Sequence, residues 1–551
     1  MNWLRKEWII ILFILFATLF LRLYNISSNP PGLTPDEASL GYNAYSILKT
    51  GKDEYGTFLP IIFKSFGDFK PGLYVYLTVP SIAIFGLNEF SVRFPSVIAG
   101  VFTVYLVYLI TKELFKEEKL AGIAGLVAAT NPWLIYFSRG AWEVNVALTL
   151  TLSGVYFFLL AQASIKNSKF IILSAFFFAL TLVDYQGAKL STGIVLFILG
   201  ILYWKQVLKL PFKYLTSAFI IGLVISTPII LSLFNGQGGR LTVFSVFSYP
   251  RPTEYLQAFL NEGNVKKGSL VYDLFYNEPL NFFRGIAGRF FNHFSAKFLF
   301  FVGDWANPRH TPPYQGVLVI GDAIFIATGA VAFLKRKATK EITFIWLWLL
   351  LATLPAILSR DQAHAVRSFN LAIPLVILIA FGIKYMLEHF RKIFVIAVLV
   401  IYAATYVYFL DSYFVHQPKL NSQYWQYGYK QMVETVTAIQ KNYKTVRVEQ
   451  SYGQPYIYFL FFQKYDPAKW QKQAYLKQDS GLDVGHVEKL DNICFCVIDW
   501  SRDRGDHGDL VVADTKVIPP LDSNDPRQFK LIREIKYLNG KDTAWRILEI
   551  K

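Results

Sequence analysis

The residues that could do chemistry in this chain are carboxylates, arginines, histidines and one lysine, in short clusters beside apolar segments. The first cluster, residues 34–38, reads Thr-Pro-Asp-Glu-Ala. A carboxylate such as Asp36 or Glu37 could take a proton from a hydroxyl or amine as that group attacks another molecule. Local structure also explains Glu37, because Thr34 with Glu37 fits a capping box and Pro35 fits the first position of a helix. The capping box does not need Asp36, so Asp36 is the stronger catalytic candidate.

Two further clusters combine acidic and basic residues. Lys70 lies in the segment 67–72 and could hold a phosphate as a point charge, although a lysine that snorkels at a membrane interface would look the same. Arg139 precedes Glu143 by four residues, so an ordinary intrahelical ion pair fits. The functional alternative is that Arg139 orients the acidic cluster while Glu143 assists the attacking group.

A fourth cluster, residues 359–368, contains His364 and Arg367, which would share one helical face if this turn is helical. The planar guanidinium of Arg367 would suit a phosphate. The loop 303–310 adds Arg309 and His310. Each of these residues alone is typical of a surface charge, but together they predict several cationic loops that converge around acidic ones.

The composition predicts that a membrane-embedded framework positions these clusters. The chain has 551 residues, of which 54% are hydrophobic and 17% aromatic, with a mean hydropathy of +0.34. Apolar runs of membrane-spanning length recur from residue 8 to residue 410, which excludes a soluble enzyme with one anchor. The net charge of +16 comes mostly from basic residues at the ends of these runs, a pattern that orients helices in a bilayer. The sequence has no stripe of basic and aromatic residues of the kind that binding to nucleic acid needs.

We predict a polytopic α-helical membrane protein with about 11 transmembrane helices. The run 71–87 is short and contains Pro80, which breaks a helix, so we expect it to be a re-entrant or juxtamembrane segment on the outer side. The predicted spans are 8–24, 94–112, 119–137, 142–163, 169–184, 189–204, 214–234, 316–334, 342–359, 369–387 and 393–410.

Two domains are predicted. Residues 1–410 form the transmembrane domain with outer loops 25–93 and 235–315, and residues 411–551 form a soluble extracytoplasmic domain. Helical and strand-like stretches alternate in the tail, which indicates an α/β fold. Cys494 and Cys496 are interpreted as packing residues. The first apolar run has no cleavage site after it and is expected to be a retained helix.

The positions of the ionisable residues favour a site at the outer membrane surface over a channel. The predicted spans have almost no charges at their centres, where an ion pathway would need them, and the candidates gather at the outer ends. No cofactor is predicted, and no residue is assigned as a metal ligand. The carboxylates could bind a divalent metal weakly, but the residues do not require one.

Several motifs resemble the C-type glycosyltransferase superfamily, in particular its protein O-mannosyltransferase and lipid A aminoarabinose transferase branch (glycosyltransferase family 39-like). The resemblance covers roughly the first 210 residues and continues more loosely through the remaining helices. Its motifs are Asp36-Glu37, Phe69-Lys70-Pro71, residues 92–96 with Ala99-Gly100, and Ser138-Arg139 with an acid four residues on. Two positions depart from the family pattern: many relatives have Pro at residue 72, and an Asp often stands at residue 143.

The resemblance implies roles for the matched residues. Asp36 would be the catalytic base of an inverting transfer, Lys70 would help to hold a carrier phosphate, and Arg139 would lie near the acidic site. Glu37 and Glu143 are carried as further catalytic candidates, and His364, Arg367 and Arg309 as weaker substrate-binding candidates.

The implied function is a glycosyltransferase that moves a hexose or pentose from a polyprenyl-phosphate donor to an acceptor at the outer face of the cell membrane. Protein, lipid and glycan acceptors all fit. The alternatives are a lipid or sugar transporter or flippase, which would need charges or broken helices at mid-membrane, and a non-enzymatic membrane scaffold whose tail binds a partner.

Overall fold

A computed structural model describes residues 2–235, 246, 253–451, 453–478 and 485–551. Most of the predicted outer loop 235–315 is described, but residues 236–245 and 247–252 of it lie outside these ranges. The helices of the first 420 residues, with shorter helical turns between some of them, are α1 Asn2–Leu23, α2 Pro35–Thr50, α3 Leu73–Phe85, α4 Glu89–Phe115, α5 Glu118–Thr130, α6 Pro132–Phe137, α7 Glu143–Ala163, α8 Phe170–Asp184, α9 Ala188–Val207, α10 Phe212–Phe234, α11 Thr253–Glu262, α12 Glu278–Phe294, α13 Asp322–Leu334, α14 Lys340–Leu351, α15 Leu354–Ile357, α16 Ala372–His389, α17 Lys392–Asp411 and α18 Gln417–Leu420.

Among the described residues, seven helical segments are long and apolar enough to cross a membrane: Glu89–Phe115, Glu143–Ala163, Ala188–Val207, Phe212–Phe234, Lys340–Ile357, Phe369–His389 and Lys392–Leu420. Four shorter apolar helices join them: Ile9–Leu23, Leu73–Phe85, Phe170–Asp184 and Asp322–Leu334. The chain is therefore a polytopic membrane protein, and each predicted span contains a helix.

Several predicted boundaries were wrong for local reasons. The span 119–137 divides at Asn131, whose side chain caps α6 by accepting from the Leu134 amide at 3.0 Å, and Pro132 begins the new helix. The predicted span 342–359 divides in a similar way: α14 ends at Leu351, and Pro355 lies in the first turn of the short α15. The span 316–334 becomes helical only at Asp322.

The expectation that Pro80 breaks a helix was also wrong, because α3 continues through it from Leu73 to Phe85. A proline in a helix removes one backbone hydrogen bond, and tertiary packing can offset that cost. Here Tyr74, Thr78 and Ile82 are buried on one side of α3.

The tail forms a domain around a six-stranded mixed sheet. The shorter helices are α19 Tyr429–Ile439, α20 Pro455–Phe462, α21 Pro467–Gln473, α22 Trp500–Asp503 and α23 Pro520–Ser523. The strands of the chain are β1 Ile62–Ser65, β2 Asp68–Pro71, β3 Val446–Glu449, β4 Lys477–Gln478, β5 Gly485–His486, β6 Lys489–Leu490, β7 Ile493–Cys496, β8 Leu510–Ala513, β9 Phe529–Lys536 and β10 Thr543–Ile550. The sheet order is β6-β7-β3-β8-β10-β9, and β3 is parallel to both of its neighbours.

The predicted helices and strands of the tail are present, but the hairpin β9–β10 was not predicted. The interpretation of the two cysteines as packing residues was wrong, since the structure joins Cys494 to Cys496 in a disulfide. Both lie at partly exposed positions of β7, whereas Ile493 and Phe495 point into the core.

The tail packs on α2 and on other parts of the segment 25–93, with which it shares one hydrophobic core. Tyr458 Oη donates to the Leu33 carbonyl at 2.9 Å, and Gln471 Nε2 donates to the Asp53 carbonyl at 2.9 Å. At Gly41 the packing is so close that an added Cβ would lie 2.6 Å from the Phe461 ring. The tail thus supports the segment that carries the first acidic cluster.

Candidate active site

Asp36 lies at the start of α2 with its carboxylate at the rim of a cavity. The predicted capping box is present: Thr34 Oγ1 accepts from the Glu37 amide at 3.2 Å, and the Glu37 carboxylate accepts from the Thr34 amide at 3.0 Å. Asp36 takes no part in this cap. Its side chain is 52% exposed and forms an ion pair with Lys70.

Glu37, by contrast, is buried, and both of its carboxylate oxygens accept hydrogen bonds. Beyond the cap, Glu37 Oε1 accepts from Arg93 Nε at 3.0 Å and from the Ala141 amide at 2.9 Å. Arg93 in turn donates to the carbonyls of Ile26 and Pro30 at 2.8 and 2.9 Å. The adjacent carboxylates therefore have different environments: Glu37 joins α2, α4 and the turn before α7, and Asp36 faces the cavity.

A hairpin brings Lys70 to Asp36. Lys70 lies on β2, opposite Phe63 of β1, and its side chain is 10% exposed. Gln186 Nε2 donates to the Phe69 carbonyl at 2.6 Å, which ties the hairpin to the segment before α9.

The hairpin also explains the departure at residue 72. A Cβ added to Gly72 would lie 2.2 Å from the Phe63 ring, and the Gly72 amide donates to the Ile61 carbonyl at 2.9 Å. Proline would supply the Cβ and remove the donor, so Gly fits this turn and Pro does not.

The cavity has a volume of about 490 Å³ and lies between α7, the start of α9 and two loops. Its apolar wall includes Val144, Ala147, Leu148, Leu190 and Phe369. Its charged residues are Asp36, Lys189, Arg309 and Arg367, which come from four segments far apart in the chain. Lys189 Nζ donates to Gln186 Oε1 at 2.7 Å, and Arg367 forms an ion pair with Asp361. One carboxylate and three cations thus share one partly apolar cavity.

Arg139 is not among the residues that line this cavity. Its guanidinium is fully buried, and its Nε donates to Tyr413 Oη at 2.8 Å. Its two Nη atoms donate to the carbonyls of Leu21, Arg22, Tyr24 and Asn29 at 2.6–3.1 Å. All five donors are therefore occupied, so the predicted pair with Glu143 is not what holds Arg139. Glu143 is partly buried at the first position of α7.

His364 and Arg367 do not share a helical face, because residues 359–368 form a non-helical turn. Arg367 reaches the cavity, and His364 turns toward Asp304 and His310. His310 Nδ1 lies 2.7 Å from Asp304 Oδ2, and the rings of His310 and His364 are 5.0 Å apart. Burial lowers the pKa of both histidines.

Three contributors to the site were not predicted. Lys189 lies at the start of an apolar run, as Lys70 does, and this position could have identified it. Arg93 was noted only as part of a motif. Gln186 had no local signal, because its role depends on contact with Phe69, 117 residues away in the chain.

Comparisons with known sequences agree with the resemblance to the C-type glycosyltransferases. Residues 70–231 match the family model described as Dolichyl-phosphate-mannose-protein mannosyltransferase. An uncharacterized protein of Aquifex aeolicus (strain VF5) is 25% identical over 403 residues, which are 68% of this chain and 74% of that protein. The protein called "Putative mannosyltransferase YkcB" of Bacillus subtilis (strain 168) is 32% identical over 177 residues, or 31% of this chain and 22% of that protein.

The fold agrees as well. The crystal structure of ArnT from Cupriavidus metallidurans in the apo state has a TM-score of 0.57 at 12% identity and covers 99% of this chain and 97% of ArnT. The same protein bound to undecaprenyl phosphate has a TM-score of 0.53. The predicted resemblance to the C-type glycosyltransferase superfamily is thus confirmed.

Proposed function

We propose that this chain is a glycosyltransferase that takes a monosaccharide from a polyprenyl-phosphate donor at the outer face of the membrane. The observation that carries the proposal is the placement of Asp36, whose exposed carboxylate pairs with Lys70 and lines a cavity shared with Arg309 and Arg367. The sequence match to a mannosyltransferase model and the fold shared with ArnT support the same reaction class. ArnT binding undecaprenyl phosphate supports the choice of donor.

In the proposed reaction, cationic side chains hold the carrier phosphate and Asp36 activates the acceptor. An acceptor oxygen or nitrogen forms a bond to the anomeric carbon while the bond from that carbon to the phosphate oxygen breaks. The electron pair leaves with the phosphate, where Lys70, Arg309, Arg367 and Lys189 offset the growing negative charge. The acceptor proton passes to Asp36. Binding both reactants in one cavity supplies a further part of the acceleration.

The environments of the two adjacent acids support a single displacement with inversion. Glu37 is buried and its oxygens accept hydrogen bonds from Arg93, Thr34 and Ala141. A retaining double displacement would use one carboxylate as nucleophile and a second group as base, and the hydrogen bonds of Glu37 oppose either role for it. We therefore assign Glu37 and Arg139 positioning roles and keep Glu143 as a candidate that assists the acceptor.

The function is tested by mixing purified protein with hexoses and pentoses linked to dolichyl phosphate or undecaprenyl phosphate. The mixture also contains lipid, peptide and glycan acceptors. We expect protein-dependent consumption of at least one donor, which Asp36→Asn slows about 10²–10⁴-fold through loss of the base. Thermal stability should change little, because half of the Asp36 side chain is exposed and asparagine can still accept a hydrogen bond from Lys70 Nζ.

Glu89→Gln is the matched control. Glu89 is also an acid in the first turn of a helix and pairs with a lysine, with 2.8 Å between its carboxylate and Lys430 Nζ, but it does not line this cavity. Wild-type turnover in Asp36→Asn, or no turnover of any donor, would contradict the proposal. Movement of labelled lipid between leaflets without donor cleavage would favour the transporter alternative.

A further inference from the structure

The two cysteines of the chain lie in the tail and have no part in the proposed reaction. Cys494 and Cys496 are joined in a disulfide on β7, and their Cα atoms are 5.6 Å apart. Because side chains alternate along a strand, both sulfur atoms lie on one face of the sheet, opposite to the buried Ile493 and Phe495. Both cysteines are partly exposed on that face, so molecules outside the protein can reach the disulfide.

This disulfide does little to stabilise the fold by restricting the unfolded chain. That effect grows with the number of residues in the closed loop, and here a single residue separates the two cysteines. The bond joins two positions of one strand, so it does not tie one element to another. Hydrogen bonds already hold β7 to β6 on one side and to β3 on the other. A role as a structural cross-link therefore does not account for the bond.

The charges beside the two sulfur atoms differ. Residues paired directly across neighbouring strands share a face, and Cys494 is paired with Arg447 of β3 and with Lys489 of β6. Cys496 is paired with Glu449 of β3. Arg447 also binds three carboxylates, those of Asp503, Asp506 and Asp509. We therefore expect the exposed Lys489 to favour a thiolate at Cys494, and Glu449 to oppose one at Cys496.

From these features we propose that Cys494–Cys496 is a redox-active disulfide that oxidises a pair of external thiols. The chain has no further cysteine, so the thiols come from another molecule. One external thiolate attacks Sγ of Cys496, the sulfur–sulfur bond breaks, and its electron pair leaves with Sγ of Cys494, which takes up a proton. The second external thiolate attacks the external sulfur of that mixed disulfide and releases Cys496, which is protonated in turn. Two electrons and two protons thus pass from the external thiols to the cysteine pair.

The edge of the sheet gives access to the sulfur atom that is attacked. Among the described residues, β6 pairs with Ile493 and Cys494, and strand pairing on that side ends before Cys496. Val497, the next residue, is 76% exposed. In the proposed orientation of the chain the tail lies outside the cytosol, where disulfides persist in their oxidised form.

The test measures the redox state of the full-length protein in detergent, independently of glycosyl transfer. The protein is equilibrated with reduced and oxidised glutathione at a series of ratios, and free thiols are counted by alkylation and mass spectrometry. We expect a reversible change from disulfide to dithiol, whereas structural disulfides resist reduction by glutathione. A bond that stays oxidised at every ratio would overturn the proposal.

A second arm adds a reduced dithiol peptide to the oxidised protein. Oxidation of the peptide, with two protein thiols formed for each peptide disulfide, would identify peptide cysteines as suitable partners. Oxidation of glutathione alone would identify small thiols instead.

Single cysteine variants test which sulfur atom leaves. At neutral pH, the thiol that remains in Cys496→Ser should react with iodoacetamide several times faster than the thiol that remains in Cys494→Ser. Addition of Lys489→Gln to Cys496→Ser should remove part of that difference. Lys530→Gln is the matched control, because Lys530 is also an exposed strand lysine but lies on β9, at the other edge of the sheet. Equal rates in the two cysteine variants would contradict the assignment of Cys494 as the leaving sulfur.

The double variant Cys494→Ser with Cys496→Ser separates this role from a structural one. Its melting temperature should lie close to that of the oxidised wild type, because the bond closes a loop with one intervening residue. A large fall in melting temperature would show that the bond is a structural cross-link and would count against the proposal.

Discussion

At the residue scale, the two adjacent acids of the first cluster have opposite properties. Asp36 is exposed at the cavity and pairs with one lysine, whereas Glu37 is buried against Arg93. Removal of one charge from a buried ion pair leaves the other without a counter-charge and costs about 3–5 kcal/mol. The pair of Asp36 with the largely buried Lys70 is open to water on one side, because half of the Asp36 side chain is exposed, and asparagine at this position could still accept a hydrogen bond from Lys70.

We therefore predict that Glu37→Gln lowers the stability of the protein, while Asp36→Asn lowers only turnover. Thermal denaturation in detergent, followed by tryptophan fluorescence, measures the first effect. Glu37→Gln and Arg93→Met together should cost less stability than the sum of the two single changes, since both break the same ion pair. A Glu37→Gln protein with wild-type melting and no activity would instead place Glu37 in the chemistry.

At the scale of elements, the hairpin β1–β2 sets the position of Lys70. Gly72 allows the turn after β2 to pack on Phe63, at a distance that leaves no room for a Cβ. The same hairpin is fixed at its other side by Gln186, from the segment before α9.

We predict that Gly72→Ala destabilises the protein by about 1–3 kcal/mol, because overpacking forces Phe63 to move. It should also raise the KM for the donor by displacing Lys70. A double-mutant cycle with Phe63→Leu tests the cause. The smaller side chain at residue 63 leaves more room, so Gly72→Ala should destabilise the Phe63→Leu protein less than it destabilises the wild type. Strictly additive effects would show that Phe63 is not what excludes the side chain.

At the scale of the whole molecule, the tail buries part of the segment 25–93. Glu54 of that segment is fully buried, and its carboxylate accepts from Asn43 Nδ2 at 3.0 Å and from Tyr456 Oη, in the tail, at 3.4 Å. Burial raises the pKa of Glu54 to about 8, against a value of 4.5 for an ordinary glutamate.

This pKa predicts a pH dependence of stability. The folded protein holds the Glu54 proton more tightly than the unfolded chain does, so the stabilisation is full below pH 4.5 and declines as the pH rises to about 8. The total loss is on the order of 5 kcal/mol. Melting temperatures at pH 5 and pH 8 should differ less in Glu54→Gln than in the wild type. An equal difference in the two proteins would assign the pH dependence to other groups.

The sequence by itself determined the membrane-embedded class, the helical runs, the capping box at Thr34 and the cluster that contains Asp36. These features depend on composition and on neighbours within a few residues, which a sequence displays directly. Lys70, Arg309 and Arg367 could be proposed as cations of an outer site for the same reason, since they lie beside apolar runs.

Only the tertiary structure decided which of these residues meet. Asp36 and Lys70 are 34 residues apart and form an ion pair, whereas Arg139 is occupied by carbonyls and a tyrosine of other segments. His364 lies beside Asp304 and His310 and does not share a helical face with Arg367, because the turn is not helical. Such pairings depend on how distant segments of the chain pack, and the pattern of neighbouring residues in the sequence does not determine that packing.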